Sequence, residues 1–242
     1  MIFVTGATGM VGGHFIWHLL QTNERVSALK RHPDFEECLK IDFEFYTDKP
    51  GEDLRRVDWV EGDVLDADSL KTAFEGADYI YHCAAMVSLG KNDESMLQTN
   101  VGGTGNVVRA ALACKAKKLC YVSSIAALSD DTSHGPIDEN TPIEPGKLVS
   151  TYAQSKLLAE IEIQKGIEQG LNAVIVNPGV ILGISAKMTG SGELFKRVKK
   201  GLPFYTYGKT AYVDVRDVCR AMIVLMNSEI NAERFVLVGE NC

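Results

Sequence analysis

Short apolar runs alternate with longer amphipathic stretches along most of this chain. Residues 1–5, 25–29, 59–61, 79–83, 118–123 and 171–176 carry the compact apolar pattern of buried strands. Between them, residues 10–20 are largely apolar and begin after glycines, which predicts a helix. Residues 34–40 predict a helical turn, and 66–74 a short helix capped by Asp66 or Asp68. Residues 93–115 read as one long helix despite Gly102, Gly103 and Gly105, and residues 152–169 as a helix closed by Gly170. The polar stretch 42–57, with Pro50-Gly51, reads as a surface excursion, and 130–148 as a loop. Asn177-Pro178-Gly179 stops the sixth strand. Beyond it come a loop, a helix over 193–199, a Tyr-rich stretch, a helix from Asp214 and a strand over 234–238.

Apolar strands alternating with helices predict a parallel sheet covered on both faces, with ligands bound beyond the carboxyl ends of its strands. Residues 1–180 form the expected main domain. Residues 181–242 form a small substrate-binding region with elements returning to that core.

Thr5-Gly6-Ala7-Thr8-Gly9-Met10-Val11-Gly12 joins the first strand to the first helix. In such a turn Gly6 permits the reversal, Gly9 admits a pyrophosphate to the backbone, and Gly12 lets helix and strand pack closely. The helix start then offers free N–H groups to the anion. This defines a Rossmann-type doubly wound α/β fold, and places Thr8, Met10 and Val11 beside the cofactor. The second strand ends in Lys30-Arg31 where an acid would accept from a ribose. Two cations there suit a 2′-phosphate, which favours NADP over NAD. Asp63, followed by Val64, is placed to accept from the adenine amine. Cys83, Ala84 and Ala85 pass beside adenine and ribose, with His82 as a satisfied core histidine.

The length of 242 residues fits such a domain, and 32 Asp+Glu against 25 Lys+Arg give a net charge of −7, which argues against nucleic-acid binding. No apolar run reaches the roughly 18 residues of a membrane helix. A strand-like run starts at Ile2, so no leader peptide is expected. Six cysteines without a CxxC pair read as thiols in a reducing compartment, the cytoplasm, and no metal site is expected.

Tyr152 and Lys156 stand four apart, on one helix face. A neighbouring ammonium lowers a phenol's pKa from near 10, which would let Tyr152 exchange a proton with a carbonyl oxygen that Ser124 also holds. The glycine turn, Ser123-Ser124 and Tyr152-Ala153-Gln154-Ser155-Lys156 together resemble the extended short-chain dehydrogenase/reductases, the NAD-dependent epimerase/dehydratase family. Asn100-Val101-Gly102-Gly103-Thr104 and Asn177-Pro178-Gly179 are similar to further motifs of that family, in family order. Leu29-Lys30-Arg31, Val122-Ser123-Ser124-Ile125-Ala126 and Gly201-Leu202-Pro203-Phe204 look most like its dihydroflavonol-4-reductase-like members.

The resemblance implies a Ser124–Tyr152–Lys156 site. In it Lys156 also binds the nicotinamide ribose, Asn100 positions Lys156 through water, and Asn177, Pro178 and Gly179 border the cofactor. It also implies a homodimer through the two long helices. The expected substrate is a small or medium carbonyl compound. Two alternatives stand beside it: an NAD-dependent sugar-nucleotide epimerase or dehydratase, and a non-catalytic dinucleotide sensor. Lys30-Arg31 speaks against the epimerase. Ile125-Ala126, where a dehydratase carries Asp-Glu, speaks against the dehydratase, and the retained Tyr152 and Lys156 speak against the sensor. Met86, Ser88, Tyr205 and Tyr207 are candidates for the substrate pocket, with core packing an equal explanation. His14, His18 and His134 read as structural or surface groups.

Overall fold

The computed structural model describes residues 1–22, 24–31, 35–87, 94–128, 137–141, 150–186, 191–201 and 208–242. Its centre is a seven-stranded parallel sheet. In chain order the strands are β1 (Ile2–Thr5), β2 (Val26–Lys30), β3 (Asp58–Glu61), β4 (Tyr79–His82), β5 (Lys118–Val122) and β6 (Ala173–Pro178). Two short strands, β7 (Val180–Leu182) and β8 (Ala211–Asp214), precede the seventh member, β9 (Glu233–Leu237), and β10 (Glu240–Asn241) follows. The spatial order is β3-β2-β1-β4-β5-β6-β9. β1 therefore lies between β2 and β4, and the strand order reverses there.

Period-two alternation sends side chains to two separate cores. Ile2, Val4, Ala28, Tyr81, Cys120, Val122, Val174 and Val176 face one side. Helices α1 (Met10–Leu20), α2 (Phe35–Glu44) and, late in the chain, α9 (Val215–Met226) cover it. Phe3, Leu29, Ile80, Leu119, Tyr121, Ala173 and Ile175 face the other side. There α4 (Ala67–Ala73), α6 (Gly103–Ala113) and α7 (Thr151–Glu168) pack. Lys118, buried at the start of β5, donates to Leu225 O at 2.7 Å and Ser228 O at 2.8 Å. Its ammonium thus caps the carbonyl end of α9.

Four expectations change. Residues 42–57 are not a surface excursion. α2 runs to Glu44, a short helix α3 (Pro50–Leu54) follows, and Phe43, Asp42 and Leu54 are buried. The apolar face of α2 recurs at Phe35, Leu39 and Phe43, one helical turn apart, and this outweighs its many acids. The long helix of residues 93–115 is interrupted. α5 (Glu94–Leu97) passes into a π-turn, Gln98–Gly102, before α6 begins, and residue 93 lies outside the described residues. The sixth strand continues through Asn177 and Pro178 rather than ending before them, because β9 pairs with both. Beyond residue 180 the chain forms helix α8 (Ser191–Lys199) and a small sheet, β10-β8-β7, whose strands were not expected. α9 and β9 return to the main domain.

The chain after β7 is held to the other half of the molecule. A Cβ on Gly183 would meet Val215 at 2.7 Å and Met10 Sδ at 3.4 Å. His14, buried in α1, is 2.7 Å from Ile184 O through Nε2, and Asp42 accepts from Ala186 N at 2.8 Å. No described helix is long and apolar enough to cross a membrane. All six cysteines are free.

Candidate active site

The turn between β1 and α1 has the shape its glycines require. Gly6 has φ +70°, in the left-handed region, and a Cβ there would lie 2.3 Å from Ala84 N. A Cβ on Gly12 would lie 2.3 Å from Gly6 O, so the helix can approach the turn only without one. Gly9 differs: its added Cβ would meet only Gly6 O, at 3.3 Å, and otherwise face open space. No side chain caps α1 at Gly9. The first-turn N–H groups around Met10, Val11 and Gly12, next to half-exposed Thr8, thus face outward at the positive end of the helix dipole. This cradle fits a pyrophosphate.

At the end of β2 an open groove of about 370 Å³ is lined by Arg31, Glu61, Gly62 and Asp63. Arg31 Nη1 lies 3.8 Å from Asp63 Oδ2, and both side chains are exposed. Exposed pairs of this kind contribute about 1 kcal/mol or less, so Arg31 can change partners readily. Lys30 stands over the Phe35 ring, 5.5 Å from its centroid. Asp63 Oδ1 accepts from Leu65 N at 2.9 Å, which leaves Oδ2 facing Arg31. Val64 is buried and its carbonyl accepts from Asn106 Nδ2 at 2.9 Å. Cys83 follows β4, its N–H bonded to Thr5 O at 3.1 Å; burial pushes its thiol up to about 12. Ala84 passes against Gly6, and Ala85 is exposed.

Beyond β5 the structure brings Ser124, Tyr152 and Lys156 together. Ser124 starts a 3-10 turn, Ile125–Ala127, and its Oγ accepts from Ala126 N at 3.1 Å. The same hydroxyl lies beside the Tyr152 phenol. Lys156, one turn along α7, is buried and donates to Val122 O at 2.9 Å and Tyr121 Oη at 3.4 Å. The ammonium is thus turned to the sheet and the phenol to the serine. This corrects the expected lowering of the phenol's pKa: burial raises it, and the Ser124 hydroxyl opposes that only in part. Burial also brings the Lys156 ammonium down to about 8, while Glu160 and Cys83 oppose the fall.

Asn100 sits in the π-turn, where its buried side chain bridges three places. Oδ1 accepts from Met86 N at 2.7 Å, and Nδ2 donates to Met86 O at 3.0 Å and to Ser155 Oγ at 2.9 Å. Ser155 Oγ in turn donates to Tyr152 O at 2.7 Å. Thr104 Oγ1 donates to Asn100 O at 2.6 Å and lies beside the Tyr121 phenol. Asn100 and Lys156 thus belong to one buried polar group that includes Thr104 and Tyr121. π-turns within helices gather at functional sites because the extra residue re-aims a carbonyl. Met86 serves this frame through its backbone.

The Asn177 side chain is buried, and Nδ2 donates to Ser124 O at 2.9 Å and Glu160 Oε1 at 2.7 Å, so it braces the serine turn. Pro178 is buried within β6, and Gly179 N donates to Leu237 O at 3.0 Å. Ser88, His134, Leu202, Pro203, Phe204, Tyr205 and Tyr207 lie outside the described residues. Thr104, Tyr121, Ser155 and Glu160 were not singled out from the sequence. Ser155 lies inside the motif that was read, and Glu160 repeats the four-residue spacing from Lys156.

His82 is fully buried between Thr5 Oγ1 (2.7 Å from Nδ1) and Thr104 Oγ1 (2.9 Å from Nε2). Since Thr104 already donates to Asn100 O, the network assigns the ring proton to Nε2. Burial pushes His82 from 6.5 down to about 3. The folded value lies below the unfolded one, so its contribution is complete above pH 6.5 and is lost as pH falls toward about 3. Urea unfolding at pH 7 and pH 5 is expected to show wild type losing about 2 kcal/mol more than His82→Gln. Equal losses would place the acid sensitivity elsewhere.

A parallel sheet with a glycine-rich cradle at its switch point defines a dinucleotide-binding protein of the Rossmann type. The sequence profile of the NAD dependent epimerase/dehydratase family matches residues 2–239, and the chain belongs to that family. It is an enzyme of the NAD(P)-dependent, extended short-chain dehydrogenase/reductase group, and its cofactor is a nicotinamide dinucleotide. A protein of Synechocystis sp. named "Putative dihydroflavonol 4-reductase" is 34% identical over 251 residues, covering 99% of this chain and 68% of its own. Cinnamoyl-CoA reductase 1 of Petunia hybrida is 27% identical over 253 residues, covering 98% of this chain and 72% of its own. The crystal structure of gox2253 superposes with a TM-score of 0.85 at 31% identity, over all of this chain and 71% of that one.

Proposed function

We propose that the protein reduces the carbonyl group of a small or medium-sized ketone or aldehyde with NADPH. The observation that carries this reading is the Ser124 hydroxyl beside the Tyr152 phenol with Lys156 buried one turn away, beyond the carboxyl ends of the central strands. Burial keeps the Tyr152 phenol protonated at neutral pH, which suits a proton donor. Ser124 orients the carbonyl oxygen toward that proton. Bound along the cradle from Gly6 to Gly12, the reduced nicotinamide supplies the hydride. Lys156 and Asn100 hold the helix turn that carries Tyr152. The reductases among the relatives support a carbonyl substrate.

Arg31 and Lys30 select the phosphorylated cofactor in this reading, with Arg31 leaving Asp63 for the 2′-phosphate. A charge-assisted bond of this type contributes about 1.5–3 kcal/mol. Calorimetric titration, after a check for retained nucleotide, is expected to show NADPH bound more tightly than NADH. Arg31→Ala should weaken NADPH about tenfold to a hundredfold and leave NADH nearly unchanged. Tightly retained NAD would overturn the reading in favour of an epimerase; in that case Glu61 and Asp63 in the same groove are the candidate ribose and adenine acceptors. A homodimer through α6 and α7 completes the proposal, supported by Leu158 and Ile161, which are exposed three residues apart on α7.

A further inference from the structure

Behind the candidate active site lies a second group of polar side chains that proton transfer itself does not use. Glu160 is buried on α7, four residues past Lys156 and eight past Tyr152, so the three share one helix face. Its Oε1 accepts from Ser123 Oγ and from Asn177 Nδ2 at 2.7 Å. Asn177 Nδ2 also donates to Ser124 O at 2.9 Å. The carboxylate therefore ties down both serines at the end of β5. Its Oε2 has no hydrogen bond but faces Arg234 Nη1 of β9 at 3.3 Å. Four elements meet at this one carboxylate: α7, the end of β5, β6 and β9.

A buried carboxylate is costly to keep unless donors converge on it, and one with an incompletely bonded oxygen projects its charge onto its neighbours. The neighbour on its own helix is Lys156. We propose that Glu160 is a positioning residue of this site. It fixes the Ser123–Ser124 turn through Ser123 and Asn177 and stands as counter-charge behind Lys156, while Arg234 sets how much of that charge reaches the ammonium. This deepens the reading of Lys156 as the partner of Tyr152 and rests on it for its catalytic meaning.

Among the described residues, the titratable groups that face Lys156 are His82 at the end of β4, Cys83 just beyond it, Tyr121 on β5 and Glu160 on α7. Among the described groups that shift Lys156, burial disfavours its charge, and Glu160 and Cys83 favour it. Cys83, itself pushed up to about 12, is a neutral thiol at neutral pH. Glu160 is then the anion of the set.

The test needs neither cofactor nor substrate. The Lys156 Nζ resonance of ¹⁵N-lysine-labelled protein, assigned by its loss in Lys156→Met, is followed against pH. Glu160→Gln should lower the midpoint by about one pH unit or more. Arg234→Met, at a partly exposed side chain, should raise it by about half a unit. Opposite shifts from the two variants are what a counter-charge predicts and what loosened packing does not produce. An unmoved midpoint in folded Glu160→Gln overturns the proposal. If that variant does not fold, Arg234→Met decides alone, and a fall or no change there overturns it. Failure of NADPH to bind would instead overturn the reading of the function and leave this titration as it stands.

Discussion

Tyr152→Phe is expected to lower turnover of any carbonyl compound the wild-type enzyme reduces by about 100- to 10,000-fold, with NADPH affinity and folding unchanged. The variant removes one oxygen and little else. Asn100 and Ser155 hold this part of α7 through the Tyr152 backbone carbonyl, which phenylalanine keeps. Ser124 retains its bond to Ala126 N. The reaction loses its proton donor while the orienting groups stay. Single-turnover rates with NADPH in excess, beside calorimetric binding, separate the outcomes. A rate within tenfold of wild type would remove Tyr152 from the chemistry. Loss of binding together with rate would mean that the ring's hydroxyl supports the cofactor pocket instead.

Gly6→Ala is expected to be the most damaging single-methyl change in the cofactor half. The added carbon meets backbone on three sides: Ala84 N at 2.3 Å, Cys83 C at 2.5 Å and Ala84 Cα at 2.6 Å. No rotamer change relieves a clash with backbone. The left-handed φ adds about 1–2 kcal/mol, and forced overpacking adds roughly 1–3 kcal/mol. A fall in melting temperature of about 5–15 °C follows at this chain length. Dinucleotide affinity should fall more than about tenfold, because the clash separates the ends of β1 and β4 where the cradle starts. Gly76→Ala is the control: its φ is +74°, but nothing lies within 4 Å of the added carbon. It should cost about 1 kcal/mol and leave binding intact. Equal damage from both would assign the effect to φ alone and discount the contact with Ala84.

Much of this was legible in the chain because local pattern and chemistry agreed. The glycine turn needs specific conformations at specific spacings, and apolar strands between helices have one economical packing. Tyr152, Lys156 and Ser124 carry groups that a carbonyl reaction requires. What escaped reading depends on register or depth. Tyr121 meets His82 across the β4–β5 ladder, a pairing with no local signal. Thr104 is a small hydroxyl whose part depends on the break in the helix before it. The Tyr152 pKa direction follows from burial and from where Lys156 Nζ points, neither of which spacing reveals. α2 was cut short because Asp42 and Glu44 masked the recurrence of Phe35, Leu39 and Phe43. The strands β7, β8 and β10 are two to four residues long, too short for alternation to mark them.

Among the described residues the open sheet has two margins, β3 and β9, with no further partner strand. Such margins invite chains to join edge to edge unless charge interrupts them. Asp58 and Glu61 are exposed on β3, and Glu233 is exposed on β9. Next to Glu233, Arg234 turns inward to Glu160, an arrangement that a docking strand would have to bury. A change at Arg234 thus has a second consequence apart from proton chemistry. With that cation replaced, Phe235, Val236 and Leu237 keep two acids along this edge, Glu233 and Glu139, which accepts from Val236 N at 2.7 Å, and resistance to self-association on storage or heating rests on these two.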